Sequence, residues 1–203
     1  MVELFLSAFV SLFVIVDPFG TAAVFVTLSQ KAKEEDKKRV AIKATIIASI
    51  ILIIFCLIGH ALLNYMHVSL PAFRVAGGLL LFVTAFRMIM GFHDPDQLES
   101  DKSVYKDISD IAVFPLTIPL LAGPGVMTAA LMFTTAAQNI MEYSLVVFVI
   151  ILVQLIALCS LLGANALCKF FGPTGNGIIA RVMGILLAAM AIQFIADGIK
   201  DLV

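Results

Sequence analysis

The sequence predicts an all-α, polytopic membrane protein with six transmembrane helices. Two compositional facts and one pattern predict it. Of 203 residues, 62% are hydrophobic and 13% charged, against roughly 45–50% apolar and about 25% charged in soluble domains. Mean hydropathy is +1.10. The charges fall between apolar runs long enough to cross a hydrocarbon core of about 30 Å, which takes roughly 20 helical residues. Such unbroken runs exclude a membrane barrel, whose strands alternate faces over about ten residues.

The first run, Val2–Leu28, has no basic leader region, carries Glu3 and continues past Val16. It therefore reads as a spanning segment and not as a cleaved signal. The others are Ala41–Tyr65, Leu70–Gly91, Ile111–Ala137, Tyr143–Cys168 and Ile178–Lys200. Between the third and fourth, Asp94, Asp96, Glu99, Asp101, Asp107 and Asp110 surround two lysines. This stretch, 92–109, reads as a solvated linker joining halves 1–91 and 110–203 of one transmembrane domain. It lacks the glycine and distal glutamate of a calcium loop, so no metal is expected there.

Basic residues orient the chain. Lys31, Lys33, Lys37, Lys38, Arg39 and Lys43 crowd the first loop, and alternation leaves only Arg74 and Lys200 of thirteen on the opposite side. The positive-inside rule then makes loops 29–43, 92–109 and 169–177 cytoplasmic and both termini external. With a net charge of -1 and no extended basic patch, nucleic acid is not an expected partner, whereas membrane lipid is. Cys56, Cys159 and Cys168 lie in apolar runs and read as small hydrophobes. His60, His67 and His93 stand in no zinc or nucleophile motif, so no enzyme chemistry is expected.

The halves resemble each other. Arg74-Val75-Ala76-Gly77-Gly78-Leu79-Leu80 matches Arg181-Val182-Met183-Gly184-Ile185-Leu186-Leu187 at five of seven positions. Within a one-residue slip, Asp17-Pro18-Phe19-Gly20-Thr21 overlies Gly123-Pro124-Gly125-Val126-Met127-Thr128. Halves of three spans enter the membrane from opposite faces, which makes this an inverted repeat. Pro18 and Pro124 each lie near mid-span, where proline removes a backbone hydrogen bond and clashes with the preceding turn. Paired interruptions of this kind point to a transporter's substrate site, because unwound backbone at membrane depth must line a cavity.

Asp17 would cost roughly 2.5–3.5 kcal/mol at a helix centre, so something must compensate it. It can cap a new half-helix with Pro18 at the first position, bonding amides near Phe19 and Gly20. It can equally meet a substrate ammonium or a coupling proton, and one carboxylate can do both. At the second break Gly123 supplies no cap, and Gly125 allows close approach to free amides at a positive helix end, a site for a carboxylate. An acid facing such amides complements a small zwitterion, an α-amino acid. Thr21 and Thr128 follow the breaks at like distances. Asn165 is a further intramembrane polar candidate.

At Val16-Asp17-Pro18-Phe19-Gly20-Thr21 and Phe114-Pro115-Leu116-Thr117-Ile118-Pro119-Leu120-Leu121-Ala122-Gly123-Pro124-Gly125, the chain resembles the MarC family, which includes SnatA-like transporters of small neutral amino acids. The likeness covers essentially the whole length. It implies a six-span inner-membrane protein of prokaryotes with glycine and alanine as substrates. The substrate site is then expected at Asp17, Pro18, Phe19, Gly20, Thr21, Gly123, Pro124, Gly125, Val126, Thr128 and Asn165. No cofactor is expected; the coupling ion, H+ or Na+, stays open, and Asp17 would carry the proton in a proton-coupled cycle. A channel for small solutes and a non-transporting scaffold are the alternatives. Oligomeric state is not legible.

Overall fold

Hydrocarbon offers a backbone no hydrogen-bond partners, so a spanning chain must satisfy itself internally. Among the described residues this chain does so with helices and without strands. The computed structural model describes residues 1–29, 32–90 and 112–202. The expected acidic linker 92–109, with the repeat boundaries beside it, lies outside them. Helices α1 (Val2–Val16) and α2 (Pro18–Leu28) meet at Asp17. They are followed by α3 (Glu34–Tyr65) and α4 (Leu70–Met90). A π-helical segment, Ala112–Leu121, leads into α5 (Pro124–Ala136), α6 (Ile140–Leu162) and α7 (Ala164–Leu202).

Among the described residues, five stretches are long and apolar enough to cross a membrane: Val2–Val26, Glu34–Tyr65, Leu70–Met90, Ile140–Leu162 and Gly177–Leu202. The fourth expected span, Ile111–Ala137, is instead divided between the π-helical segment and α5. At 13 residues, α5 alone is shorter than the roughly 20 residues a crossing takes. Pro115, Pro119 and Pro124 lack the amide that an α-helical ladder needs. The ladder widens accordingly, and the Ala122 amide donates to Thr117 O, five residues back, at 2.8 Å.

Three other boundaries differ from expectation. The loop expected over 29–43 gives way at Glu34 to α3, so Lys37, Lys38, Arg39 and Lys43 stand on its first turns and not in a loop. The fifth span begins at Ile140, where Asn139 Oδ1 accepts from the Glu142 amide at 2.9 Å and Glu142 Oε2 accepts from the Gln138 amide at 2.9 Å. This reciprocal cap fixes the start, and α6 closes at Gly163, whose amide donates to Cys159 O. Residues 169–177, expected as a loop, lie within α7, which is helical on both sides of Gly172 (φ 64°, ψ 176°). Only glycine adopts that conformation without strain, so the chain changes direction at one residue without a loop.

Small residues bring the helices together. On α3, Ala41, Ala44 and Ala48 are fully buried, while Ile46, Ile50 and Ile54 are exposed and form the lipid-facing side. The most extensive packing is between α4 and α7, across glycines, as in other membrane helix pairs. A Cβ at Gly78 would stand 2.8 Å from Ile195 Cγ1 and 2.9 Å from Ala191 O, and one at Gly184 would stand 3.0 Å from Ile89 Cγ1 and 3.2 Å from Ala85 O. At the end of the pair, Arg74 Nη1 donates to Asp201 Oδ2 at 2.8 Å.

Gly78→Ala is expected to destabilise the protein by about 1–3 kcal/mol, since the Ala191 carbonyl is backbone and cannot step aside. Gly177→Ala, with nothing within 4 Å, should be neutral or stabilising by up to about 1 kcal/mol through helix propensity. Thermal unfolding of both variants in detergent measures the difference; equal midpoints would refute the packing argument.

Candidate functional site

At the first break, one residue ends one helix and starts the next. Asp17 has φ 44° and ψ 72°, the left-handed region, which costs most L-residues roughly 1–2 kcal/mol but which aspartate visits more readily. Its amide donates to Phe13 O at 3.0 Å, closing α1, and its carbonyl accepts from the Thr21 amide at 2.9 Å, opening α2. Its carboxylate Oδ1 accepts from the Gly20 amide at 3.1 Å. Because that amide is engaged, the Val16 carbonyl has no α-helical donor, and the Thr21 hydroxyl donates to it instead at 2.9 Å. Gly20 must lack a side chain, since a Cβ there would overlap the Asp17 carboxylate. The capping role weighed for Asp17 is thus visible, with the residue 7% exposed.

The second break is built differently. Gly123 is extended (φ -73°, ψ 167°), Pro124 takes the first helical position, and no side chain caps α5. The Met127 amide donates to Gly123 O at 3.0 Å. The amides of Gly125 and Val126, in the first turn, have no acceptor within their own helix. On the carbonyl side, Leu121 O accepts from Gln154 Nε2 at 2.9 Å, and the Thr117 hydroxyl bonds both Ala112 O (2.6 Å) and Ala44 O (3.1 Å). Gln154 and Thr117 thus tie the π-helical segment to α6 and α3.

The two breaks face one cavity of about 110 Å³, room for several waters or a small solute. Asp17, Gly20 and Thr21 line it from the first break, and Gly123, Pro124, Gly125 and Val126 from the second. The facing wall, Leu80, Leu81, Thr84 and Met88, comes from α4, with Leu187 of α7 beside it. Pro124, Leu80 and Thr84 are exposed, which puts the mouth on their side. Polar groups therefore cluster at the helix ends and apolar ones opposite, an arrangement able to orient a solute with charged and uncharged ends.

Four candidates are placed elsewhere. Pro18 is buried behind the break, and Phe19 packs edge-on against Phe13 (6.1 Å) and Phe171 (6.4 Å). The Thr128 hydroxyl turns back to Pro124 O at 2.8 Å, and its side chain lies where a Gly77 Cβ would be. Asn165 is exposed at the start of α7, with its Nδ2 3.4 Å from Glu34 Oε1, beside Ser29, Lys37 and Lys38 and away from the cavity. Sequence reasoning missed the α4 wall, whose apolar residues look like any lipid-embedded helix. Thr84 alone carried a polar signal. Among the described residues, no cluster of three or more His, Cys, Asp or Glu could hold a metal ion.

Residues 2–203 match the family described as MarC family integral membrane protein, and the chain belongs to that family. A UPF0056 membrane protein of Methanocaldococcus jannaschii is 36% identical over 198 residues, covering 98% of this chain and 97% of the relative. One from Archaeoglobus fulgidus is 34% identical, covering 97% and 92%, and the UPF0056 membrane protein YvbG of Bacillus subtilis is 29% identical, covering 100% and 97%. No solved structure matches the chain.

Stability of the first break should order as Asp17 ≈ Asn > Gly > Ala in thermal melts in detergent. Asparagine keeps the acceptor and tolerates left-handed φ, glycine keeps only the backbone freedom, and alanine loses both. The Ala variant is expected to lose about 2 kcal/mol, a cap plus a conformational penalty. An Ala variant as stable as Asn would refute the double-cap geometry.

Proposed function

We propose that this MarC family member is a secondary transporter that carries small neutral amino acids, of the glycine and alanine type, by alternating access. The reading rests on the meeting of two broken helices around one small cavity in a chain otherwise built of membrane-crossing helices. Irregular backbone at membrane depth persists where it lines a hollow, and paired breaks in two halves are where such proteins hold their solute. The Asp17 carboxylate receives the amino group. The Gly125 and Val126 amides, at the positive end of α5, receive the carboxylate.

The proposal includes six crossings in two inverted halves, with α1 and α2 forming the first and the π-helical segment and α5 the fourth. A common spacing supports it. Pro18 and Pro124 are 106 positions apart, as are Gly78 and Gly184, and Leu81 and Leu187. Gly78 packs on Ala191 and Ile195, and Gly184 on Ala85 and Ile89, which repeats the same spacing across the contact. This register differs by one residue from the alignment of Arg74 with Arg181. By the positive-inside rule the six basic residues from Lys31 to Lys43, four of them on the first turns of α3, belong on the cytoplasmic side of a prokaryotic inner membrane, with both termini outside.

Proteoliposomes holding the purified protein are expected to take up labelled glycine and alanine saturably and with counterflow. Imposed pH and sodium gradients in the same vesicles identify the coupling ion. Asp17→Asn, which preserves the cap, is expected to lower uptake about tenfold or more by removing a charged partner. Unsaturable flux would replace the transporter with a channel. No uptake or binding would leave the scaffold. Unchanged uptake by Asp17→Asn would remove the acid from the site.

A further inference from the structure

The wall opposite the breaks carries information that the breaks do not. Leu81 is 4% exposed, and a Cβ added at Gly125 would fall on its Cγ and Cδ2. The leucine therefore occupies the space that the glycine leaves, directly beside the first-turn amides of α5. One turn earlier, Gly77 admits Thr128 in the same way. On its other side α4 is held by Gly78 against the Ala191 carbonyl. With backbone-close contacts on both sides, α4 cannot retreat from the cavity, and close-packed interiors transmit such constraints instead of absorbing them. Leu187, 1% exposed, meets the same cavity from α7.

We infer that Leu81, seated on Gly125, sets the upper size limit of the transported solute. The inference rests on the transport reading above. A zwitterion held by Asp17 and the α5 amides turns its side chain toward α4, where the remaining space takes a hydrogen, a methyl or a hydroxymethyl group and Leu81 excludes a branched chain. A hydrophobic wall discriminates by clash far better than by lost contacts, so truncating the clashing residue changes selectivity more than affinity for the small substrate.

The test is competition for uptake of labelled alanine in proteoliposomes. For the wild type, glycine and serine should compete and valine should not. Leu81→Ala should admit valine, with its inhibition constant lowered about tenfold or more. Leu79→Ala, on the exposed face of the same helix, should behave as wild type. Gly125→Ala should lower the melting temperature in detergent, and Leu81→Ala added to it should restore most of the loss, a measurement made without any amino acid. Uptake by Leu81→Ala with valine still excluded, or equal relaxation in Leu79→Ala, would overturn this inference alone. No rescue of Gly125→Ala would also overturn it. A wild type that takes up no amino acid would overturn the transport reading and this inference with it.

Discussion

Every backbone group freed by a helix break inside lipid needs a partner, because leaving one in hydrocarbon costs several kcal/mol. That requirement explains four of the polar side chains buried among the described residues. Asp17 takes the Gly20 amide, Thr21 takes the Val16 carbonyl, Gln154 takes the Leu121 carbonyl, and Thr117 takes that of Ala112. Seen singly, these residues look like ordinary interhelical hydrogen bonders. Taken together they are sited at the places where proline has interrupted a ladder. Their positions follow from the breaks.

The remaining helices hold the breaks still. Glycine contacts on α4 and α7 bring two long helices to backbone distance, and alanines on α3 let the π-helical segment come close enough for Thr117 to reach Ala44 O. Apolar burial gives little net drive between helices in a lipid environment, so close van der Waals contact and hydrogen bonds do the holding. The rigid α4 that results from this packing is also the helix that closes the cavity. Scaffold and cavity wall are therefore the same element, and a change of residue there acts on both.

Hydropathy and charge made the helical class, the approximate course of five spans and both break points legible, because each is a local property: a run of apolar residues, or a proline within one. Whatever depends on two segments meeting was not. Leu81 is one leucine among many until Gly125 is placed against it. Asn165 looked like a buried polar residue at span depth, but α6 ends at Leu162 and leaves it exposed beside Glu34. The helical course of residues 169–177 turns on a single positive φ at Gly172, which no periodicity announces. The π-helical course of Ala112–Leu121 follows from its prolines, although a kink and a widened ladder share that signal.

The two breaks have the same proline and opposite chemistry, and the difference runs against helix stability. Position 123 is an N-cap, where Ser, Asp or Asn in place of an uncapped residue adds roughly 0.5–2 kcal/mol, and its counterpart Asp17 supplies that cap. Glycine at 123 forgoes the side-chain bond, and glycine at 125 leaves the space in which Leu81 sits beside the first-turn amides. If the breaks were only kinks, selection for stability alone would favour two caps. A side-chain-capped first end and an uncapped second end instead set an acid and a set of helix-end amides around one small hollow. That polarity suits a solute with both charges, and a symmetric pair of caps would have abolished it.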